Sequence, residues 1–187
     1  MFVQPVVGFR VWKLSAEGAL LPRAVSALAR LEAEPWQPGR NDARCMYLGR
    51  SRGPHPPPHA DCDCGLHAYH DLARMARAAR AEECVGGAIA AWGDLQVHRS
   101  GFRAQHAQVV ALAIPDTVGM AARARLAAAR YDVPLVGCDE LQACAAAHGA
   151  PLPGAVRPAR RRPWTAGGRS RRKGEESVRS EDGRAVA

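Results

Sequence analysis

Lysine is nearly missing from this chain: of 26 basic residues only Lys13 and Lys173 are lysines, and the rest are arginine. With abundant alanine, glycine and proline, that bias reads as translation of a GC-rich genome, so part of the basicity is compositional in origin. Also missing is any run of eighteen apolar residues, which argues against a membrane-spanning helix. The opening MFVQPVVGFR lacks the basic region and long apolar run of a secretory signal. A cytoplasmic location without a membrane partner is therefore expected. There the six cysteines should be thiols or metal ligands, because disulfides are kept reduced. No internal repeat of fixed period and no recognisable catalytic signature is present.

The 187 residues, 47% of them apolar, suffice for one ordinary hydrophobic core. The net charge of +8 is uneven, since residues 157–187 hold ten basic and four acidic residues. Two halves of a hairpin are predicted at 6–14 and 19–22, where apolar and polar residues alternate around a Gly-containing turn. A short helix is predicted over 24–34, stopped by Pro35, and a brief strand over 45–48. Residues 49–59 form a Pro/Gly-rich loop favouring extended backbone. A helix is predicted over 66–81, with Leu66, Tyr69 and Ala76 on one face and Asp61 or Asp63 as its cap. The strongest hairpin signal joins 86–97 to 102–114 through His98 to Gly101, with Ile89, Ala91, Val97, Val109 and Ala111 inward. A helix at 120–131, a strand at 133–136 and a helix at 139–148 follow. The expected fold class is α+β: a small, mostly antiparallel sheet built from hairpins, about three helices, and a disordered C-terminal tail. Residues 1–153 form the single domain, and residues 154–187 form the basic tail, too poor in apolar residues to order itself.

Two cysteines and four histidines crowd into HPPPHADCDCGLHAYH at 55–70. Zinc takes about four thiolate or imidazole ligands. Cys45, Cys62 and Cys64 offer three thiolates, and His55, His59 or His67 offers the fourth. C-x-C is less usual in zinc sites than C-x2-C, and two other readings stand beside this one. Cys62 and Cys64 can simply fill space beneath the following helix, or Cys64 near a helix start can serve as a nucleophile with His67 or His98 as base. His67, His70 and Asp71 would share a helix face. Cys84, Cys138 and Cys144 read as small buried apolar residues.

Trp92, His98 and Arg103 form a candidate binding surface on the long hairpin, able to stack a ring and hold an anion; alternatively Trp92 and Phe102 belong to the core. In the tail, RPARRR and RSRRK flank Trp164, a pattern able to bind phosphates and stack a base, although the acidic pairs that follow weaken its field.

The segments GFRVW with WQPG, CDCGLHAY, GAIAAWGDLQVHRSGFRA and YDVPLVG resemble a family of small uncharacterised actinobacterial proteins. Its most specific motifs are C-x-C-G-L-H-A and W-G-x-L-x-x-H-x-x-G-F-R-A. The resemblance covers roughly residues 7–148 and implies a compact domain ending before the tail. Cys45, Cys62, Cys64, Trp92, His98, Gly101 and Arg103 match the family's characteristic positions. The expected function is a non-enzymatic binding or regulatory module for an unknown protein or small ligand, pinned by zinc. The alternatives are a thiol- or metal-dependent enzyme using Cys62, Cys64 and His67, with Arg103 on an anionic substrate, and nucleic-acid association through the tail.

Overall fold

The computed structural model describes residues 4–23, 34–45, 55–81 and 83–156. The helix predicted over 24–34 falls outside the described residues except for Glu34. So do the strand at 45–48 beyond Cys45, and the tail from 157, including Trp164.

Strand β1 (Val6–Leu14) turns into β2 (Leu20–Pro22) as its alternation predicts, pairing antiparallel from Trp12 opposite Pro22 to Leu14 opposite Leu20. Ser15 Oγ fastens the turn by accepting the N–H groups of Glu17 and Ala19. The long hairpin forms from β5 (Cys84–His98) and β6 (Gly101–Ala113), and β5 lies between β1 and β6, antiparallel to both. Strand β4 (Leu66–Tyr69) pairs with the outer edge of β6 at residues 101–104 and meets β1 where Tyr69 faces Phe9. Strands β1, β5, β6 and β4 thereby close into a ring. Beside β4 on the same edge of β6 lie β3 (Arg40–Asp42), antiparallel, and β7 (Leu135–Val136), parallel; β8 (Ala150–Pro151) runs parallel to β1. The fold is α+β, mostly antiparallel with two short parallel pairings.

Helix α1 corrects the reading of residues 66–81. Residues 66–69 are the strand β4, because the open edge of β6 offers their backbone a ladder. The helix begins only at Leu72 and runs Leu72–Ala79, capped by Asp71, whose carboxylate accepts the Ala73 N–H at 2.8 Å. Asp61, Cys62, Asp63 and Cys64 all precede a strand rather than a helix, so neither aspartate is the cap of α1. The shared helix face of His67, His70 and Asp71 therefore does not exist.

Helix α2 (Val118–Tyr131) and helix α3 (Leu141–Ala146) complete the three helices among the described residues. Alternate positions of β1 serve opposite faces. Val7, Phe9 and Val11 pack with Met75 of α1 and Leu141 and Ala145 of α3. Val6, Trp12 and Leu14 pack with Ile89, Phe102 and the Ala124, Ala127 and Tyr131 row of α2. The buried face of α2 is almost all alanine, which lets its backbone approach the sheet closely. Tyr131 then locks it: its hydroxyl donates to Trp36 O at 2.7 Å and accepts Leu20 N–H at 3.0 Å. Where β1 crosses Phe102, a Cβ on Gly8 would lie 2.6 Å from the ring, so only glycine fits. Glu140 occupies the cap position of α3, and its carboxylate accepts the Gly137 N–H. No helix among the described residues is long and apolar enough to cross a membrane.

Candidate metal centre

Cys45 follows β3, whose pairing continues as Ala43 N–H donates to Gln105 O. The Pro-rich loop brings His55 and His59, and Cys62 and Cys64 stand just before β4. These paths converge: one ligand atom from each of Cys45, His55, Cys62 and Cys64 lies within 4.8 Å of the others. Cys45 Sγ is 3.7 Å from Cys62 Sγ, and Cys64 Sγ is 3.5 Å from His55 Nε2. A tetrahedral zinc with ordinary bond lengths sets two sulfurs about 3.8 Å apart and a sulfur and a nitrogen about 3.6 Å apart. Both measured pairs match that ligand sphere, and the widest separation has to close by at most about 1 Å.

Of the three histidines in reach, His55 belongs to the group. His59 stacks on it, ring centroids 4.6 Å apart, and its Nδ1 accepts the Asp61 N–H at 3.3 Å. His67 spends Nε2 on Asp63 O at 2.9 Å and is not among the four converging side chains. His59 and His67 are thus supports rather than members of the four. Burial, with help from Arg10 and Arg103, lowers the pKa of His67, keeping its ring neutral.

The thiols differ. Burial opposes ionisation of Cys62, but the Cys64 N–H and the side chains of His55, Cys45 and Cys64 outweigh it and bring the pKa down to about 7. Burial pushes the Cys64 thiol up to about 11, against a hydrogen bond from the His59 backbone. N–H groups aimed at sulfur are what thiolate ligands require. Elsewhere Cys84 is buried and Cys144 half-buried, as small apolar residues should be, but Cys138 is exposed. All six cysteines are free.

The sequence reading placed Arg103 on an open binding surface. It is instead 4% exposed. Its guanidinium donates to the carbonyl of Cys62, to that of Cys64 at 3.2 Å, to Gln96 Oε1 and to His98 Nε2 at 3.1 Å, with Asp63 Oδ1 3.8 Å away. With its donors turned to the ligand loop and the hairpin, Arg103 does not serve an outside anion. Gly65 makes the approach possible: it has φ +120°, and a Cβ there would sit 3.0 Å from Arg103 Cβ. His98 is exposed but spends Nε2 on Arg103, and burial lowers its pKa.

Trp92 is only half-buried, so it does not join Phe102 in the core. A bulge between Trp92 and Leu95, with Gly93 at φ +79°, turns it toward His106, 6.0 Å between rings. His106 Nδ1 in turn lies 2.6 Å from Asp42 Oδ1.

Two features escaped the sequence reading. Arg10 stands 4.7 Å from the Trp36 ring and 5.9 Å from that of Trp12, and burial lowers its pKa to about 10. Its Nη1 donates to His67 O at 2.5 Å, tying β1 to β4 beside their single facing pair. The Trp-Gln-Pro-Gly turn hinted at a buried tryptophan, but nothing local paired it with Arg10. The clamp role of Arg103 had a faint signal, an arginine opposite the strand that follows C-x-C-G. Comparison with protein-family models, curated sequences and solved structures returns no match.

Proposed function

We propose that this chain is a non-enzymatic, cytoplasmic binding or regulatory module whose ligand loop is pinned by a structural zinc on Cys45, His55, Cys62 and Cys64. The observation that carries this reading is the convergence of four soft ligands at tetrahedral spacing. Four protein ligands fill a tetrahedral zinc and leave no position for a substrate or an activated water, which favours structure over catalysis. The resemblance to small actinobacterial proteins agrees with this on the cysteines. The unidentified partner is a protein or small ligand.

Cobalt(II) titration tests the centre directly. The expected result is one ion per chain with the visible absorption of a tetrahedral three-sulfur, one-nitrogen site, lost in Cys62→Ser and reduced in His55→Ala but retained in His59→Ala and His67→Ala. An octahedral spectrum, or full binding by Cys62→Ser, would overturn it. The lowered pKa of Cys62 favours a second reading, a reactive thiol. Rapid selective alkylation of Cys62 in metal-loaded protein would support it. Nucleic-acid association through residues 157–187 is a separate proposal, resting on charge alone. It requires steeply salt-dependent binding that is lost on truncation after Pro153.

A further inference from the structure

A guanidinium shut away from water needs a counter-charge, and the described residues give Arg103 a poor one. Its carboxylate, Asp63, is 3.8 Å distant with a side chain 89% exposed, so water dilutes the attraction. The carbonyls of Cys62 and Cys64 supply dipoles but no charge. A divalent ion held by three thiolates and a neutral imidazole would carry a net charge of −1, on residues whose backbone carbonyls Arg103 already holds.

On the proposed metal reading, we infer that Arg103 is the positioning residue through which metal occupancy sets the order of the β5–β6 hairpin end, residues 96–103. One side of the guanidinium holds the backbone of two ligands. Its other side is held by Gln96 Oε1 and His98 Nε2, both on β5. Gln96 faces Arg103 across the hairpin and His98 faces Gly101. The hairpin end is also tied by His70, whose Nε2 donates to His98 O at 2.9 Å and whose N–H donates to Ser100 O at 3.3 Å, and by the β4 ladder along β6 from residue 101. Whatever fixes the guanidinium adds to those ties by holding Gln96 and His98 on the β5 side, and the coupling is reciprocal: an ordered hairpin raises metal affinity. Second-sphere partners of this kind typically alter metal affinity by 10–100-fold.

The test combines zinc affinity, by competition with a chromophoric chelator, with amide exchange of the full chain with and without zinc. In the native sequence, removing zinc is expected to speed exchange at residues 96–103 by on the order of tenfold. Arg103→Met should bind zinc about 10–100-fold more weakly and show hairpin exchange that no longer depends on zinc, with Arg103→Lys between. Should Arg103→Met fail to fold, Gln96→Ala decides. It leaves both Cys carbonyl bonds in place, so it should keep the cobalt(II) spectrum while losing most of the zinc dependence of the hairpin. If native protein binds zinc yet its hairpin exchange ignores the metal, or Gln96→Ala behaves as native, the coupling is refuted and the centre is a local staple. If native protein binds no zinc, both the site reading and the coupling fall.

Discussion

Residue chemistry divides the Cys/His-rich stretch into ligands and supports by what each side chain already does. Cys45, His55, Cys62 and Cys64 face one another, whereas His67 donates to Asp63 O and His59 buttresses the His55 ring. The clustering of thiols and imidazoles that could hold a metal was legible in the sequence from their density. Which histidine completes the set was not, because it depends on the backbone direction of β4 and on the path of the loop through 55–59. Arg103 illustrates the same limit: its arginine chemistry was visible, but its burial follows from pairing with β4. Gly65 joins the two, and Gly65→Ala forces a left-handed backbone on a Cβ that has no room. We expect a loss of about 1–3 kcal/mol in urea unfolding with zinc present, and weaker zinc binding by competition. Unchanged stability and affinity would mean that the approach of Arg103 to the loop is looser than the structure shows.

At the scale of elements, alternation served well where one strand carries its own two faces. Strand β1 and the β5–β6 hairpin form where it predicts them, with Ile89, Ala91, Val109 and Ala111 buried and Val97 partly so, but residues 84–91 are buried at every position because both faces are covered, and Ala111 packs on the face opposite Ile89 and Val109. It failed where a short strand abuts a helix. Leu66, Tyr69 and Ala76 fit helical spacing, yet residues 66–69 are drawn into the ladder on β6, and the start signal that matters is Asp71. Propensity cannot report a waiting sheet edge. Asp71→Ala should cost about 1 kcal/mol of stability by removing the cap of α1, measured by thermal or urea unfolding. Asp61→Ala and Asp63→Ala should not perturb α1, and a cap-sized loss at Asp61 would restore the longer helix.

For the whole molecule, the α+β class and its hairpin origin were readable, while the ring of β1, β5, β6 and β4 was not. That closure rests on one facing pair, Phe9 with Tyr69, reinforced by Arg10 reaching His67 O beneath Trp36. Such contacts span 57 and more positions in the chain, beyond any local pattern. The side chains that could hold a metal lie at the same seam: Cys62 and Cys64 lead into β4, and Cys45 follows β3 on the neighbouring stretch of β6. A metal there fastens two segments to one edge, which gives it a reason to stabilise the entire fold. The most direct measurement is elemental mass spectrometry on untagged, natively purified protein, with thiols counted before and after chelation. The account requires about one zinc per chain and, on chelation, release of three protected thiols, those of Cys45, Cys62 and Cys64. Metal-free protein whose Cys45, Cys62 and Cys64 thiols titrate freely in the folded state would contradict it.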